Sequence, residues 1–274
     1  MSETMPWAEP AAPSPFQAAA TDDAPRRRPD LSVVIPVYDE APNLPDLWRR
    51  VAATMGAREL EWELIFVDDG SRDESPALLE HLEAEHDPVR VLTAARNVGQ
   101  SAALAAGFRA ARGDWVVTLD ADLQNPPEEI ARLLAARAEA EADIYFGRRV
   151  QRRDTYAKRF ASKIGNGFRN AVTGHRVADT GCSLKLMRRE ALLTLPMFNG
   201  AHRFLPTLFH GYGFRGHEVP VQHAERQAGV SKYGNWDRAR RGLVDCFAVR
   251  WMLSRAVRAS EPPVERSGPG GHER

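Results

Sequence analysis

Apolar and polar positions along the chain alternate between short β-branched runs and longer segments with helical spacing. Leu31–Val37 (LSVVIPV) is almost continuously apolar, the pattern of a strand buried on both faces. A polar turn, Tyr38-Asp39-Glu40-Ala41-Pro42-Asn43, leads into a helical pattern that runs to about Met55. Trp62–Val67 predicts a second strand, ending in Asp68-Asp69-Gly70-Ser71, and Asp73 is placed to cap a helix reaching about His86. Val89–Thr93 predicts a third strand, followed by Arg96-Asn97-Val98-Gly99 and an alanine-rich helix over about Gln100–Arg112 that Gly113 closes. Trp115–Leu119 predicts a fourth strand, a helix starts near Pro127, and Asp143–Phe146 predicts a fifth strand. From about Trp236 to Arg258, Leu243, Val244, Phe247, Ala248, Trp251 and Met252 share one helical face, with arginines around it. Such a helix either packs on the preceding domain or lies in a membrane interface.

Strands alternating with helices predict an α/β fold, a mostly parallel central sheet flanked by helices. Ligands of such sheets bind beyond the carboxyl ends of the strands. The loops after the first four strands carry Glu40, Asp68 and Asp69, Arg96 and Asn97, and Asp120 and Asp122, so these residues are expected to converge on one crevice. No internal repeat is visible.

Composition narrows the picture at the ends. Residues 1–29 hold six prolines and no apolar core of a signal peptide, so they read as a disordered tail, as do residues 260–274. The expected organisation is a domain over 30–235, an amphipathic helix over 236–259, and a loose segment at either end. Two cysteines make no disulfide framework, and a reducing cytosol is the simple reading. No apolar run approaches the roughly 20 residues needed to span a bilayer. The net charge is zero, so bulk charge singles out no partner. Its distribution is uneven: eight Lys or Arg against one acidic residue between Gly147 and Asn170, and eight against two between Arg226 and Arg258.

The most specific chemistry is Asp120-Ala121-Asp122 at the end of the fourth strand. Two close carboxylates repel, and a hard divalent cation with oxygen ligands relieves this. Mg²⁺ or Mn²⁺ suits such ligands, and the cation can hold the diphosphate of a nucleotide-sugar. Gln124 either completes that shell or is a solvent-facing residue at the helix entry. A phosphatase nucleophile normally follows the first strand with a hydroxyl residue next, whereas this pair follows the fourth with Leu123 next. A dinucleotide fold is excluded, since no Gly-x-Gly-x-x-Gly follows the first strand. Pro36-Val37-Tyr38-Asp39-Glu40 and Asp68-Asp69-Gly70-Ser71 together suit a base and ribose pocket, because carboxylates accept hydrogen bonds from base N–H and ribose hydroxyls. Capping and turn formation are the plainer roles of the same residues. Arg96 either neutralises diphosphate, holds the crevice loops, or is a surface arginine.

Arg148, Arg149, Arg152, Arg153, Lys158, Arg159 and Lys163 start directly after the fifth strand, beside the crevice. They form either a solvated face or a site for an anionic acceptor or lipid headgroup. Nucleic acid fits poorly, since aromatic residues are sparsely interleaved and no known motif is present. Arg226 and Lys232 flank a Gly-Val-Ser turn suited to a loop closing over phosphates, and His223 before it is more often structural than a metal ligand.

These segments carry a resemblance. VVIPVYDEAPNL, IFVDDGSRD, ARNVGQSAALAAGF, DADLQNPPEEI, the arginine-rich stretch from Gly147, ADTGCSLKLMRRE and HAERQAGVSKYG resemble glycosyltransferase family 2, with the GT-A fold. Within it the chain is similar to the polyprenyl-phosphate (dolichol- and undecaprenyl-phosphate) sugar transferases, the bacterial ones especially. The resemblance implies metal and diphosphate binding by Asp120, Asp122 and Gln124. It implies a nucleotide pocket with Pro36, Glu40 and Asp69, and diphosphate contacts from Arg226 and Lys232; Tyr38, Asp68 and Arg96 complete the candidate nucleotide-sugar residues. Arg148, Arg149, Arg159 and Ser162 fall where the acceptor phosphate binds, and Asp179 where the family keeps an acidic residue near the reaction centre. Bacterial members often continue into transmembrane helices and processive synthases carry Gln-x-x-Arg-Trp; neither is seen here, so a peripheral enzyme transferring a single sugar is expected, at the cytoplasmic face of the membrane and in the bacterial cell envelope.

The expected reaction is inverting transfer from a nucleotide-diphosphate sugar to a polyprenyl phosphate, with a UDP-sugar favoured and GDP-mannose the alternative donor. A phosphate monoester is mostly dianionic at pH 7, so Asp179 is not required as a base. Two other readings stay open: a family 2 transferase with a non-lipid acceptor, and a catalytically silent nucleotide-sugar binding module. The oligomeric state also stays open, a homo-oligomer included.

Overall fold

The computed structural model describes residues 15–18, 28–150, 156–224 and 235–256. Eight strands form one sheet: β1 (Phe16–Ala18), β2 (Leu31–Val37), β3 (Trp62–Asp68), β4 (Val89–Ala94), β5 (Trp115–Thr118), β6 (Ile144–Arg149), β7 (Lys185–Arg188) and β8 (Gly216–Val221), in the spatial order β1-β4-β3-β2-β5-β7-β6-β8. The pairs β3–β4, β2–β3, β2–β5 and β6–β8 are parallel, and β7 runs antiparallel to both β5 and β6. Six of the eight strands therefore point the same way, as expected of a mostly parallel sheet. β7 is the exception that matters: being reversed, it brings its amino-terminal end to the edge where the other six end.

The helices are α1 (Leu44–Gly56), α2 (Ser75–Glu85), α3 (Gln100–Ala110), α4 (Ile130–Glu139), α5 (Tyr156–Thr173), α6 (Arg189–Leu193), α7 (Leu205–Gly211) and α8 (Asn235–Arg255). Period-two alternation in the strands splits the core into two layers. Val33, Ile35, Leu64 and Phe66 face α1, α2 and α4, which bury Leu47, Val51, Leu79 and Leu133. Val34, Ile65, Val67 and Val116 face α3, α7 and α8, which bury Leu104, Phe108, Leu208, Phe209 and Val249. On that second layer Gly107 lets α3 close on the sheet, since a Cβ there would sit 2.4 Å from Val34 Cγ1.

Three strands were not anticipated. β1 falls within the stretch expected to be a loose tail; it pairs antiparallel with β4 because Phe16 packs on the α3 layer and β4 is otherwise a sheet edge. β7 (KLMR) is too short and too cationic to read as a strand, and β8 (GHEVPV) carries a proline and a charge. Near Pro127 the chain first makes a single 3-10 turn, Pro127–Glu129, and α4 begins at Ile130. Asp73 precedes the cap position rather than filling it. Its two oxygens accept from Ser75 N at 2.9 Å and Ala41 N at 3.1 Å, tying the loops after β2 and β3 together.

α8 packs on the domain, but not through the face expected. It docks through Cys246, Val249, Met252 and Leu253, on the side away from most of the face picked out by sequence spacing. Leu243, Val244, Phe247 and Trp251 stay exposed, Trp251 at 65%. Between Leu243 and Leu253 the helix carries apolar residues on two sides, so one side packs and the other is left over.

Both cysteines are buried and unbridged. Burial pushes the Cys182 thiol up to about 11, partly offset by Lys185, and burial also raises Cys246. At pH 8 only about one Cys182 in a thousand is thiolate. The native protein should therefore leave both thiols unlabelled by a disulfide reagent at pH 8, with two equivalents reacting after denaturation; fast labelling of the native form would contradict this packing.

Candidate active site

The carboxyl ends of β4, β3, β2, β5, β6 and β8, with the loop entering β7, line one edge of the sheet. Read across that edge, the order is Arg96, Asp68 and Asp69, Tyr38 to Glu40, Asp120 and Asp122, Asp179 to Ser183, Arg149, then His223. Neighbouring strands lie about 4.8 Å apart, so β5 and β6, with β7 between them, are separated by about 10 Å. The expected convergence of the first four loops is what the topology produces.

The left part is built on Asp68 and Asp69. Asp68 is 1% exposed; its Oδ1 accepts from Ser71 N at 3.0 Å, and its Oδ2 is buried with no hydrogen-bond partner among the described residues. Asp69 is differently engaged: Oδ1 accepts from Val98 N at 2.7 Å and Oδ2 from Gly99 N at 2.9 Å. Burial raises the Asp69 carboxyl, and these two backbone donors pull it back. Asp69 thus clamps the loop before α3, while Asp68 keeps an unused acceptor of the kind a base N–H needs. Gly70 sits at φ +71 with Arg96 packed over it, so that a Cβ would lie 2.5 Å from the Arg96 carbonyl carbon. The Arg96 backbone is thus packed against this turn, while the residue as a whole is exposed. Glu40 Oε2 accepts from Asn43 Nδ2 at 2.6 Å, and Glu40 N donates to Ser75 Oγ at 3.0 Å. Pro36 and Tyr38 are half-buried beside it.

In the middle, Asp122 is buried and Asp120 half-buried. Asp122 Oδ1 accepts from Gln124 N at 3.1 Å, which closes a tight turn with Leu123 at φ +59. Asp120 Oδ1 accepts from Gln100 Nε2 at 2.9 Å. Gln124 O accepts from Ala224 N at 2.8 Å, so the segment after β8, with half-buried His223, lies against the same turn. The donor set here is carboxylate and amide oxygen, which fits a hard divalent cation.

On the right, Arg149 and Asp179 meet fork to fork. Nε lies 2.6 Å from Oδ2 and Nη2 2.8 Å from Oδ1, while Gly181 N donates to Oδ1 at 3.1 Å. Both side chains are largely buried, so this is a charge-assisted bidentate pair. Lys185 lies beneath, and sequence reasoning did not single it out. It is 3% exposed and its ammonium donates to the Cys182 carbonyl. Burial lowers its pKa, opposed by the neighbouring Cys182, Asp120 and Asp179 side chains. Lys185 thus lies within electrostatic reach of both carboxylate groups of the crevice. Arg169 and Arg203, also not singled out, lie beside the Arg149–Asp179 pair.

Not every expected residue gathers here. Arg148 and Arg149 alternate across β6; Arg148 is exposed, with Nε 4.0 Å from Glu218 Oε2, and does not line the cavity that Arg149 lines. The side chains of Arg159 and Ser162, on α5, lie outside the described set, as do Arg226 and Lys232.

The profile described as Glycosyl transferase family 2 matches residues 32–195. Two curated relatives, from Pseudomonas fluorescens and Proteus mirabilis, are named undecaprenyl-phosphate 4-deoxy-4-formamido-L-arabinose transferase; each is 44% identical over 204 residues, 74% of this chain. The matched part spans 60% and 62% of their lengths, so the chain covers less than two thirds of either. Among solved structures, glucosyl-3-phosphoglycerate synthase from Mycobacterium tuberculosis, in complex with Mn²⁺, UDP and glucosyl-3-phosphoglycerate, superposes with a TM-score of 0.62 at 18% identity, covering 81% of both chains. The mannosyltransferase PcManGT from Pyrobaculum calidifontis, in complex with GDP-Man and Mn²⁺, gives 0.58 at 24% identity, covering 81% of this chain and 64% of that one. At these identities the likeness establishes the fold, which is the expected GT-A arrangement.

Proposed function

The chain belongs to glycosyl transferase family 2, and from that premise we propose that it transfers one sugar, with inversion, from a nucleotide-diphosphate sugar to a polyprenyl phosphate. The observation that carries this reading is the order of chemistry along one sheet edge: an unused buried carboxylate oxygen at Asp68, the Asp120/Asp122 pair, then an arginine-lined recess at Arg149. The names of the relatives support the lipid acceptor. The donor is a UDP-sugar in the first instance, with GDP-mannose the alternative.

Asp68, Glu40 and Tyr38 bind and orient the nucleoside. Asp120 and Asp122, with Gln124, would hold Mg²⁺ or Mn²⁺, which when bound takes up charge on the departing diphosphate. The arginines lower the repulsion between two anionic substrates and aim an acceptor oxygen at C1 of the sugar. That oxygen belongs to a phosphate monoester whose second pKa is about 6, so it attacks without a general base. The test is a donor screen with purified protein, Mg²⁺ or Mn²⁺, a short polyprenyl phosphate and a panel of UDP- and GDP-sugars, read by mass spectrometry. Lipid-linked product from one donor is the expected result; none from any donor, with nucleotide binding intact, would move the assignment to a soluble acceptor or a silent binding module.

The same reading places the protein on the cytoplasmic membrane face, held by the outer side of α8. Among the described residues no helix is long and apolar enough to cross a membrane. Exposed Phe247 and Trp251 are suited to insertion at an interface, each worth about 2 kcal/mol when buried. Phe247→Ser with Trp251→Ser should weaken binding to phosphatidylglycerol-containing vesicles about a thousandfold in a sedimentation assay. Equal sedimentation of both proteins would remove α8 as the anchor.

A further inference from the structure

A cavity of about 250 Å³ opens between α5, the loop before β7 and the turn before α7, and three guanidinium groups line it: Arg149, Arg169 and Arg203. Arg149 is paired with Asp179. Arg203 Nη2 lies 3.5 Å from Asp245 Oδ2 on α8. Arg169 has no carboxylate partner among the described residues: Nη1 donates to Asn166 Oδ1 at 2.8 Å and to Thr180 Oγ1, and its guanidinium carbon stands 5.5 Å from the Phe204 ring centre. Among the described residues three cations thus face two carboxylates, an excess of one positive charge around the recess.

Donor capacity is also in excess. The Nε atoms of both Arg169 and Arg203 are buried without a hydrogen-bond partner among the described residues. Buried guanidinium donors are normally satisfied, because each missing bond leaves a desolvated group uncompensated. An anion with several acceptor oxygens answers both the charge and the donors, and arginine forks match phosphate geometry. The same two helices carry the exposed apolar surface. Phe168 directly precedes Arg169 on α5, its ring 6.1 Å from that of Phe247 on α8, two residues after Asp245.

We infer that the Arg149–Arg169–Arg203 cavity holds the phosphate of an amphiphilic phosphate monoester, its apolar chain running over the Phe168–Phe247 surface. Resting on the acceptor reading above, this makes Arg169 and Arg203 its phosphate ligands, with Asp245 a positioning residue that acts through Arg203.

The test is calorimetric binding of farnesyl phosphate, farnesol and inorganic phosphate to the full chain, without donor, for the native protein and for Arg203→Gln and Arg169→Gln. The expected result is a loss of at least tenfold in farnesyl phosphate affinity in each variant, UDP affinity unchanged, and weaker binding of both farnesol and inorganic phosphate than of farnesyl phosphate by the native protein. Native farnesyl phosphate affinity in both variants, with lipid product still formed, would overturn the cavity assignment and leave the transferase reading intact. Arg203-dependent binding of inorganic phosphate with no binding of farnesyl phosphate by the native chain would instead keep the anion site, overturn the amphiphile and sink the lipid-acceptor reading. Arg203→Gln keeps the test readable should Arg169→Gln, which alters a partly buried group, fail to fold.

Discussion

Asp122→Asn should lower sugar transfer about a thousandfold or more, with the fold intact. The amide is the informative replacement. Its Oδ1 still accepts from Gln124 N, the bond that closes the Asp122–Gln124 turn and holds Leu123 at φ +59, whereas alanine would remove turn and charge together. What the amide loses is the negative charge that a divalent cation needs beside Asp120. A thousandfold is about 4 kcal/mol of barrier, within the several kcal/mol that a metal supplies to a departing diphosphate. A second readout separates metal binding from turnover: Mn²⁺ should raise the melting temperature of the native protein in the presence of UDP and leave that of Asp122→Asn unmoved. Near-normal transfer, or an undiminished Mn²⁺ shift, would remove Asp122 from the metal site.

Much of this crevice is legible in the sequence because the parallel strands advertise themselves. β2, β3 and β5 are buried on both faces and read as apolar runs, and the loop after each begins with the residues that matter. The strand-end rule then assembles Glu40, Asp68, Asp69, Asp120 and Asp122 without coordinates. The acceptor side is harder for a physical reason. β7 is four residues long, and its pairing with β5 and β6 is fixed by partners distant in sequence. Only once β7 is known to run backwards does Asp179 fall on the crevice edge beside Arg149. Lys185 reads as a solvated lysine until its register opposite Thr118 places it inside. Arg169 and Arg203 come from a helix and a turn 34 residues apart, with no shared motif. The choice between Asp68 and Asp69 is likewise invisible in a run of two aspartates. It depends on which carboxylate the loop before α3 consumes, and that loop consumes Asp69.

Asp179→Asn should separate a base from a positioning residue. In the native protein both carboxylate oxygens are committed to Arg149, and one also accepts from Gly181 N. A carboxylate held this way is a poor proton acceptor, because protonating it would strip a largely buried guanidinium of its counter-charge. The amide places an N–H₂ or a neutral oxygen against Arg149 Nε, and breaking a buried pair on one side costs about 3–5 kcal/mol. The variant should melt roughly 6–20 °C lower, on the scale of about 2–4 °C per kcal/mol for a domain of this size. With Arg149 no longer aimed, the acceptor KM should rise about tenfold to a hundredfold, while kcat at saturating acceptor changes less. The decisive readout is pH. If the acceptor phosphate supplies its own nucleophilic oxygen, the rate should climb through its second ionisation, near pH ~6, in native and variant alike. A base at Asp179 predicts something else: a kcat lower by orders of magnitude at saturating acceptor, and loss of the limb that its ionisation controls. Parallel profiles with a raised acceptor KM would fix Asp179 as the residue that holds Arg149 in place, and Arg149 as the one that meets the phosphate.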